Sequence, residues 1–201
     1  HGIELDKFNK EDNSKLREIQ EKGHGIILGN AGRLTPQKGQ ENLIKIAVKL
    51  KEEKIDFTIF IAGTGEQKEE LTNLINKNNL HKDVILLGFV EDVDSFMNSI
   101  DIFLLTSIWE GFGFVLVEAM IKSKPTVAFN ITSNPEVVTA NETGFLIDAL
   151  DINMFAQKTK ELIQNEELRF KMGEAGRASV LNRFILEDRV SELECYINGN
   201  R

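Results

Sequence analysis

The stretch Asp101-Ile102-Phe103-Leu104-Leu105-Thr106-Ser107-Ile108-Trp109-Glu110-Gly111-Phe112-Gly113-Phe114-Val115-Leu116-Val117-Glu118 holds a strand, a glycine turn and a helix start in immediate succession. Ile102 to Leu105 is a continuous apolar run of strand length. Gly111-Phe112-Gly113 breaks the run with a turn, and Phe114 to Lys122 reads as a helix. A strand, a glycine turn and a helix start together place a pocket at the carboxyl end of a sheet. Backbone N–H groups at such a helix start can hold an anion. Glu110 and Glu118 stand eight apart, which on a helix puts them about two turns apart on one side. There they can accept hydrogen bonds from sugar hydroxyls. The competing reading makes Glu110 a solvated loop acid and Glu118 a surface helix acid.

The same alternation runs outward in both directions. Strand candidates are Ile26-Ile27-Leu28, Phe57 to Ile61, Val84 to Leu87, Ile102 to Leu105, Thr126 to Phe129 and Phe145 to Ile147. Their apolar residues are mostly continuous rather than alternating, the mark of strands covered on both faces. Between them lie stretches of helical period. Leu43, Ile46, Ala47 and Leu50 stripe the segment from Gly39 to Glu53, and Leu71, Leu74 and Ile75 do the same after Glu66. Glu91 to Ser99 reads as a short helix. Ile152, Phe155, Ala156, Thr159, Leu162 and Ile163 follow a helical spacing behind Asp151 as N-cap. Helices over about 167–181 and 186–197 close the chain. This order predicts an α/β fold, a doubly wound parallel sheet flanked by helices. The expected division is a linker and short helix over 1–24, a Rossmann-like domain over 25–182 and a C-terminal helix over 183–201.

The chain has 201 residues, 41% of them hydrophobic, and a net charge of −8. One domain with a real core is the default at this length, and the charge argues against nucleic acid as a partner. Cys195 is the sole cysteine, so no internal disulfide forms and a reducing compartment fits. No apolar run approaches the roughly 20 residues that span a bilayer. The start, His1-Gly2-Ile3-Glu4-Leu5, has neither the basic nor the apolar region of a signal peptide. His1, His24 and His81 are isolated from acidic or cysteine partners at ligand spacing, so no metal is expected.

A second constellation follows the first strand: Gly32-Arg33-Leu34-Thr35-Pro36-Gln37-Lys38-Gly39. Two glycines frame a loop that carries a planar guanidinium and a mobile ammonium, and both suit phosphate oxygens. Two cations at a strand's carboxyl end are placed for a diphosphate, although a solvated Arg and Lys would look the same. The order of a Walker loop is absent. Ala62-Gly63-Thr64-Gly65 lacks a third glycine at Lys68, so it reads more simply as a tight turn than as a dinucleotide fingerprint. Asp92 and Asp94 fit the first turn of a short helix better than a metal site. Trp109 reads as a pocket wall or core residue, and the phenylalanines as core.

Taken in order, these residues resemble a family. Gly2-Ile3 with Phe8, Gly32-Arg33-Leu34 with Lys38-Gly39, Ala62-Gly63-Thr64-Gly65 and Leu87-Gly88-Phe89-Val90 come first. Thr106-Ser107 with Glu110-Gly111-Phe112-Gly113, Glu118-Ala119-Met120, Pro125, Pro135-Glu136-Val137-Val138 and Gly144-Phe145-Leu146 follow, then Met172-Gly173 and Arg183-Phe184. Over nearly its whole length the chain resembles the C-terminal, donor-binding domain of family 4 retaining glycosyltransferases, which have the two-domain GT-B architecture.

The resemblance implies roles. Arg33 and Lys38, with Gly32, would bind the diphosphate of a nucleoside-diphosphate sugar and neutralise the departing nucleotide. Glu110 would contact the donor sugar and act with these cations in catalysis. Glu118 would bind the ribose, and backbone amides from Gly111 through Phe112 and Gly113 to Phe114 would hold sugar and phosphate. Backbone near Phe89 and Val90 would touch the base. Retention would proceed by same-face attack with the leaving phosphate as base, with no cofactor and no metal.

An acceptor glycan or lipid would be bound by an N-terminal domain that this chain lacks. The chain is therefore expected to bind nucleotide weakly and to transfer little sugar alone. Its expected setting is cytoplasmic, with any membrane-surface contact decided by the other half. Thr132-Ser133 stands where Gly-Gly is common in the family, and Ser123 stands where glycine is common; both shape the pocket edge. A sugar-nucleotide epimerase half and a non-catalytic nucleotide-binding module are the alternatives. A dinucleotide-dependent oxidoreductase is disfavoured by the broken glycine pattern.

Overall fold

The computed structural model describes Ile19 and residues 21–183. Of the linker and short helix expected over 1–24, residues 1–18 and 20, with His1, Gly2, Ile3 and Phe8, lie outside the described residues. So does the last helix expected over 186–197, with Phe184 and Cys195.

The described chain alternates strand and helix as far as β6 and closes on two consecutive helices. In order these are β1 (Ile26–Ala31), α1 (Gln40–Glu52), β2 (Phe57–Ala62), α2 (Lys68–Lys77), β3 (Val84–Gly88), α3 (Val93–Asn98) and β4 (Ile102–Leu105). Then come α4 (Phe114–Ile121), β5 (Thr126–Phe129), α5 (Asn134–Val137), β6 (Gly144–Ile147), α6 (Ile152–Gln164) and α7 (Glu166–Arg183). All six strands pair in parallel in the order β3-β2-β1-β4-β5-β6. This is the doubly wound sheet expected from the sequence.

The continuous apolar runs are explained by two cores, one on each face of the sheet. Phe57, Ile59 and Ile61 of β2 join Ile102 and Leu104 of β4 under α1, α2 and α6. Their neighbours Phe60, Ala62, Phe103 and Leu105 turn the other way, under α3, α4 and α7. A strand with both faces buried has no polar side to show, so its sequence does not alternate.

The structure extends β1 three residues past the apolar run. Asn30 is 2% exposed and its amide donates to the Leu104 carbonyl at 2.8 Å, so a polar residue serves as a strand-to-strand tie. Asp151 does cap α6, its carboxylate accepting the Met154 N–H at 2.9 Å. Asp92 caps α3 in the same manner through Ser95. Asp94 pairs at 2.7 Å with Lys122, the C-cap of α4, so one acid of the pair caps α3 and the other ties α3 to the end of α4. The short α5 and a single 3-10 turn at Pro36–Lys38 were not expected, because neither is long enough to show a period. The expectation that the phenylalanines are core fails for Phe89, Phe114 and Phe170, which are 74%, 49% and 72% exposed.

Candidate functional site

The strand order reverses between β1 and β4, and a crevice opens there outside the carboxyl ends of the strands, as in other open α/β sheets. The loops that follow these two neighbours are the two constellations read from the sequence.

The loop after β1 is held from below by the turn after β2. Gly32 N–H donates to Ala62 O at 3.0 Å, Leu34 N–H to Thr64 O at 2.9 Å, and Gln67 N–H to Leu34 O at 3.1 Å. A Cβ at Gly63 would run into the Gly32 carbonyl, and one at Gly65 into the Leu34 carbonyl. Ala62-Gly63-Thr64-Gly65 is thus the tight turn read from its sequence, and its glycines are required by close backbone approach. The same loop is laced sideways to the one after β4. Ile108 N–H donates to Gln37 O at 2.9 Å, the Gln37 amide to Trp109 O at 3.1 Å and the Thr106 hydroxyl to Gly39 O at 3.0 Å. Gly39 takes a left-handed conformation to start α1, with the Thr106 carbonyl where a Cβ would stand.

Between these loops lies a cleft of about 550 Å³. Gly32, Arg33 and Lys38 line one side, and Glu110, Gly111, Phe112, Gly113, Phe114 and Glu118 the other. The Lys38 ammonium donates to both oxygens of Glu110, at 2.7 and 2.9 Å. Ser107 donates its hydroxyl to the same carboxylate at 2.6 Å, and the Glu110 backbone N–H donates to Thr132 Oγ1 at 3.2 Å. Glu110 is 7% exposed, so its charge is both buried and met. Arg33 is exposed, with its guanidinium directed to no partner among the described residues. Gly113 is the left-handed N-cap of α4, and Phe112 packs its ring on Phe114 at 4.8 Å between centroids. Glu118 is half-buried, and burial pushes its carboxyl above the ordinary value of 4.5.

Three placements differ from the sequence reading. Glu110 lies in the loop ahead of Gly113, so it and Glu118 do not share a helix face; both line the cleft, one from the loop and one from α4. Trp109 is neither core nor a lining residue: it is 56% exposed, its carbonyl held by Gln37. Phe89 and Val90 do not line the cleft with the others; Phe89 is exposed and Val90 sits in the core under α3 and α4.

Sequence reasoning also missed Ala31, Gln37, Val93 and Val115 as lining residues, and Ser107 and Thr132 as anchors of Glu110. Thr106-Ser107 and Thr132-Ser133 were noticed as motif positions, but a hydroxyl's target is not written in its position. Among the described residues, no group of three or more His, Cys, Asp or Glu gathers as a metal site, and no helix is long and apolar enough to cross a membrane.

The family described as "Glycosyl transferases group 1" matches residues 12–179. A capsular polysaccharide biosynthesis glycosyltransferase of Staphylococcus aureus is 31% identical, over 98% of this chain and 53% of the relative. HepE of Anabaena, crystallised with UDP, superposes with a TM-score of 0.87 at 25% identity, covering 98% of this chain and 56% of its own. The C-terminal domain of LpcC, a glycosyl transferase group 1 family protein of Francisella tularensis, superposes with a TM-score of 0.79 at 26% identity, covering 92% of this chain and all of that domain. The chain spans about half the length of the curated relative it matches.

Proposed function

Since this chain belongs to the group 1 glycosyl transferases and corresponds to their C-terminal region, we propose that its cleft binds the nucleoside-diphosphate sugar donor of a retaining hexosyl transfer. The observation that carries this reading is the meeting of Lys38 and Glu110 at 2.7 Å in a cleft that also holds Arg33 and Glu118. Cations for a diphosphate and carboxylates for hydroxyls stand within one ligand's reach. UDP is the nucleotide to try first, because the similar HepE was crystallised with UDP and with UDP-glucose.

Each residue has a task in this reading. Arg33 reaches the diphosphate from the rim, and Lys38 from the floor. Glu118 accepts the two ribose hydroxyls, and Glu110 accepts hydroxyls of the sugar. The amides from Gly111 to Phe114 supply the positive end of α4. When the bond from the anomeric carbon to the phosphate oxygen breaks, its electron pair goes to the leaving nucleoside diphosphate, where Lys38 and Arg33 neutralise the new charge. The acceptor hydroxyl forms the new bond on the same face and passes its proton to the leaving phosphate. Losing one such fixed donor typically costs about 3 to 4 kcal/mol of barrier. The acceptor, a glycan or lipid hydroxyl, belongs to the region of the relatives outside the matched half, and so does any contact with a membrane surface.

Calorimetric titration of the chain with UDP, GDP and ADP, and with their glucose, mannose and N-acetylglucosamine conjugates, tests the reading. Saturable binding of one nucleotide series, weakened at least tenfold by Arg33→Ala and by Glu118→Ala, is the expected result. Arg33 is the sound control, because its exposed side chain holds nothing else in place. Binding that ignores both substitutions would refute the assignment of the cleft. Equal affinity for nucleotide and sugar conjugate would favour a plain nucleotide-binding module instead.

A further inference from the structure

The turn after β5 carries a residue that packing does not explain. Asn134 N–H donates to Ile131 O at 2.9 Å, closing a turn with Thr132 and Ser133 at its centre. Thr132 has φ +36°, and Ser133 has φ −89° and ψ −9°. A positive φ at the first central position followed by these values is the pattern of a type II′ turn, where glycine is favoured. A β-branched residue there is strained. Thr132 is also exposed, so burial of its side chain does not offset the strain. What its hydroxyl does is accept the backbone N–H of Glu110 at 3.2 Å, from 22 residues earlier in the chain.

Glu110 is thereby held at both ends. Ser107 and Lys38 grip the carboxylate, and Thr132 fixes the backbone from which it projects. When a diphosphate draws Lys38 toward itself, the carboxylate loses part of its grip and the backbone anchor remains. We propose that Thr132 is a positioning residue: its hydroxyl holds Glu110 at the height where the carboxylate meets the hydroxyls of the donor sugar. The inference rests on the donor-sugar reading of the cleft and adds to it the residue that tunes the sugar end. In that reading it acts on the sugar and not on the nucleotide, because Glu110 is assigned to the former, and a glycine there would suit the turn better yet leave the Glu110 backbone N–H without its anchor.

Thr132→Gly and Thr132→Ser, compared with the unaltered chain, test it. UDP and UDP-glucose affinities are measured by calorimetry, the exchange of the Glu110 amide by NMR, and the melting temperature alongside. Thr132→Gly is expected to melt no lower than the unaltered chain and to bind UDP equally well. It should bind UDP-glucose about fivefold more weakly, the loss of one ordinary hydrogen bond, with faster Glu110 amide exchange. Thr132→Ser, which keeps the hydroxyl, should restore both the affinity and the protection. A merely structural role would move melting without separating UDP from UDP-glucose. Unchanged UDP-glucose binding by Thr132→Gly, equal weakening of both ligands, or failure of Thr132→Ser to restore would each overturn the proposal while the donor reading stands. Absence of UDP and UDP-glucose binding by the unaltered chain would overturn the two together.

Discussion

Glu118 shows what a half-buried carboxylate at a cleft costs the fold. It projects from α4 into the cleft, and desolvation alone raises its pKa. A folded-state pKa above the unfolded one means that the folded chain holds the proton more tightly. The stability linked to this group is therefore present in full below the unfolded value near 4.5 and is lost as pH rises through the folded value. Glu118→Gln, which mimics the protonated form, should melt above the parent at about pH 8, with the gap closing toward about pH 4. The same substitution should weaken nucleotide binding at the higher pH, where the ionised carboxylate is the better acceptor for ribose hydroxyls. Melting curves across pH, with a titration at the upper end, check both; a gap that widens on acidification would show the shift to be misassigned. At this scale the sequence was informative about types and silent about pairings. Arg33, Lys38 and Glu110 stood out because each is a charge next to a glycine after a strand, and Glu118 because it follows the same glycine turn on the helix; the cleft lining includes all four. That Lys38 would close on Glu110, 72 residues away, depends on how far one loop leans over another. Ser107 and Thr132 were hidden for the same reason.

At the scale of elements, the end of α4 shows a local conflict that the fold tolerates. Ser123 N–H donates to Met120 O at 2.9 Å and Lys124 N–H to Ala119 O at 3.1 Å. These are the two bonds of a Schellman ending, which places Ser123 in the left-handed position usually filled by glycine. Its φ is +56°. Ser123→Gly should therefore stabilise the chain by roughly 0.5–1 kcal/mol, or about 1–4 °C in Tm for a protein of this size. The opposite experiment lies across the interface. A Cβ on Gly173 of α7 would run into the Ser123 carbonyl, with Pro125 at 3.5 Å, so Gly173→Ala should cost about 1–3 kcal/mol by overpacking. Urea unfolding of the two variants checks both signs. The glycine of Met172-Gly173 thus belongs to the packing of α7 on α4, a role the sequence motif did not disclose. Elements were the most legible level. Six strands announced themselves because burial on both faces leaves long apolar runs, and α1 and α6 because one buried stripe repeats every turn. What escaped was β1 past Leu28, where buried Asn30 continues the strand, and the short turns at Pro36–Lys38 and Asn134–Val137, where no period exists to be read.

On the scale of the whole molecule, the cleft sits over the strand join with the fewest registered pairs. β1 is registered with β2 along its full length, from Ile26 with Phe57 to Ala31 with Ala62. With β4 it is registered through Leu28 with Ile102 and Gly29 with Phe103, with further ties from the Asn30 amide to Leu104 O, from Asp101 N–H to Ile27 O and from Ile27 N–H to the Asp101 carboxylate. This join is where the strand order reverses, and the loops on its two sides carry Arg33 and Lys38 on one and Glu110 to Gly113 on the other. A nucleotide sugar held by both loops therefore bridges the two halves of the sheet as well as filling a pocket. Binding to the folded chain alone adds about 2.7 kcal/mol at a hundredfold excess over Kd, which corresponds to a rise of roughly 5–11 °C in Tm. The added protection should be unevenly spread. Amide exchange should slow over 32–39 and 106–118 and in β1 and β4, and much less in the edge strands β3 and β6, which contribute no residue to the cleft lining. Hydrogen exchange with and without UDP-glucose reads this directly. Protection confined to one loop would mean that the ligand occupies only one side of the cleft, and protection centred on the edge strands would move the binding site away from the strand reversal altogether. A ligand that joins the two loops couples the affinity of the site to the integrity of the sheet, so substitutions that loosen the join, Asn30→Ala among them, should weaken the ligand without touching it.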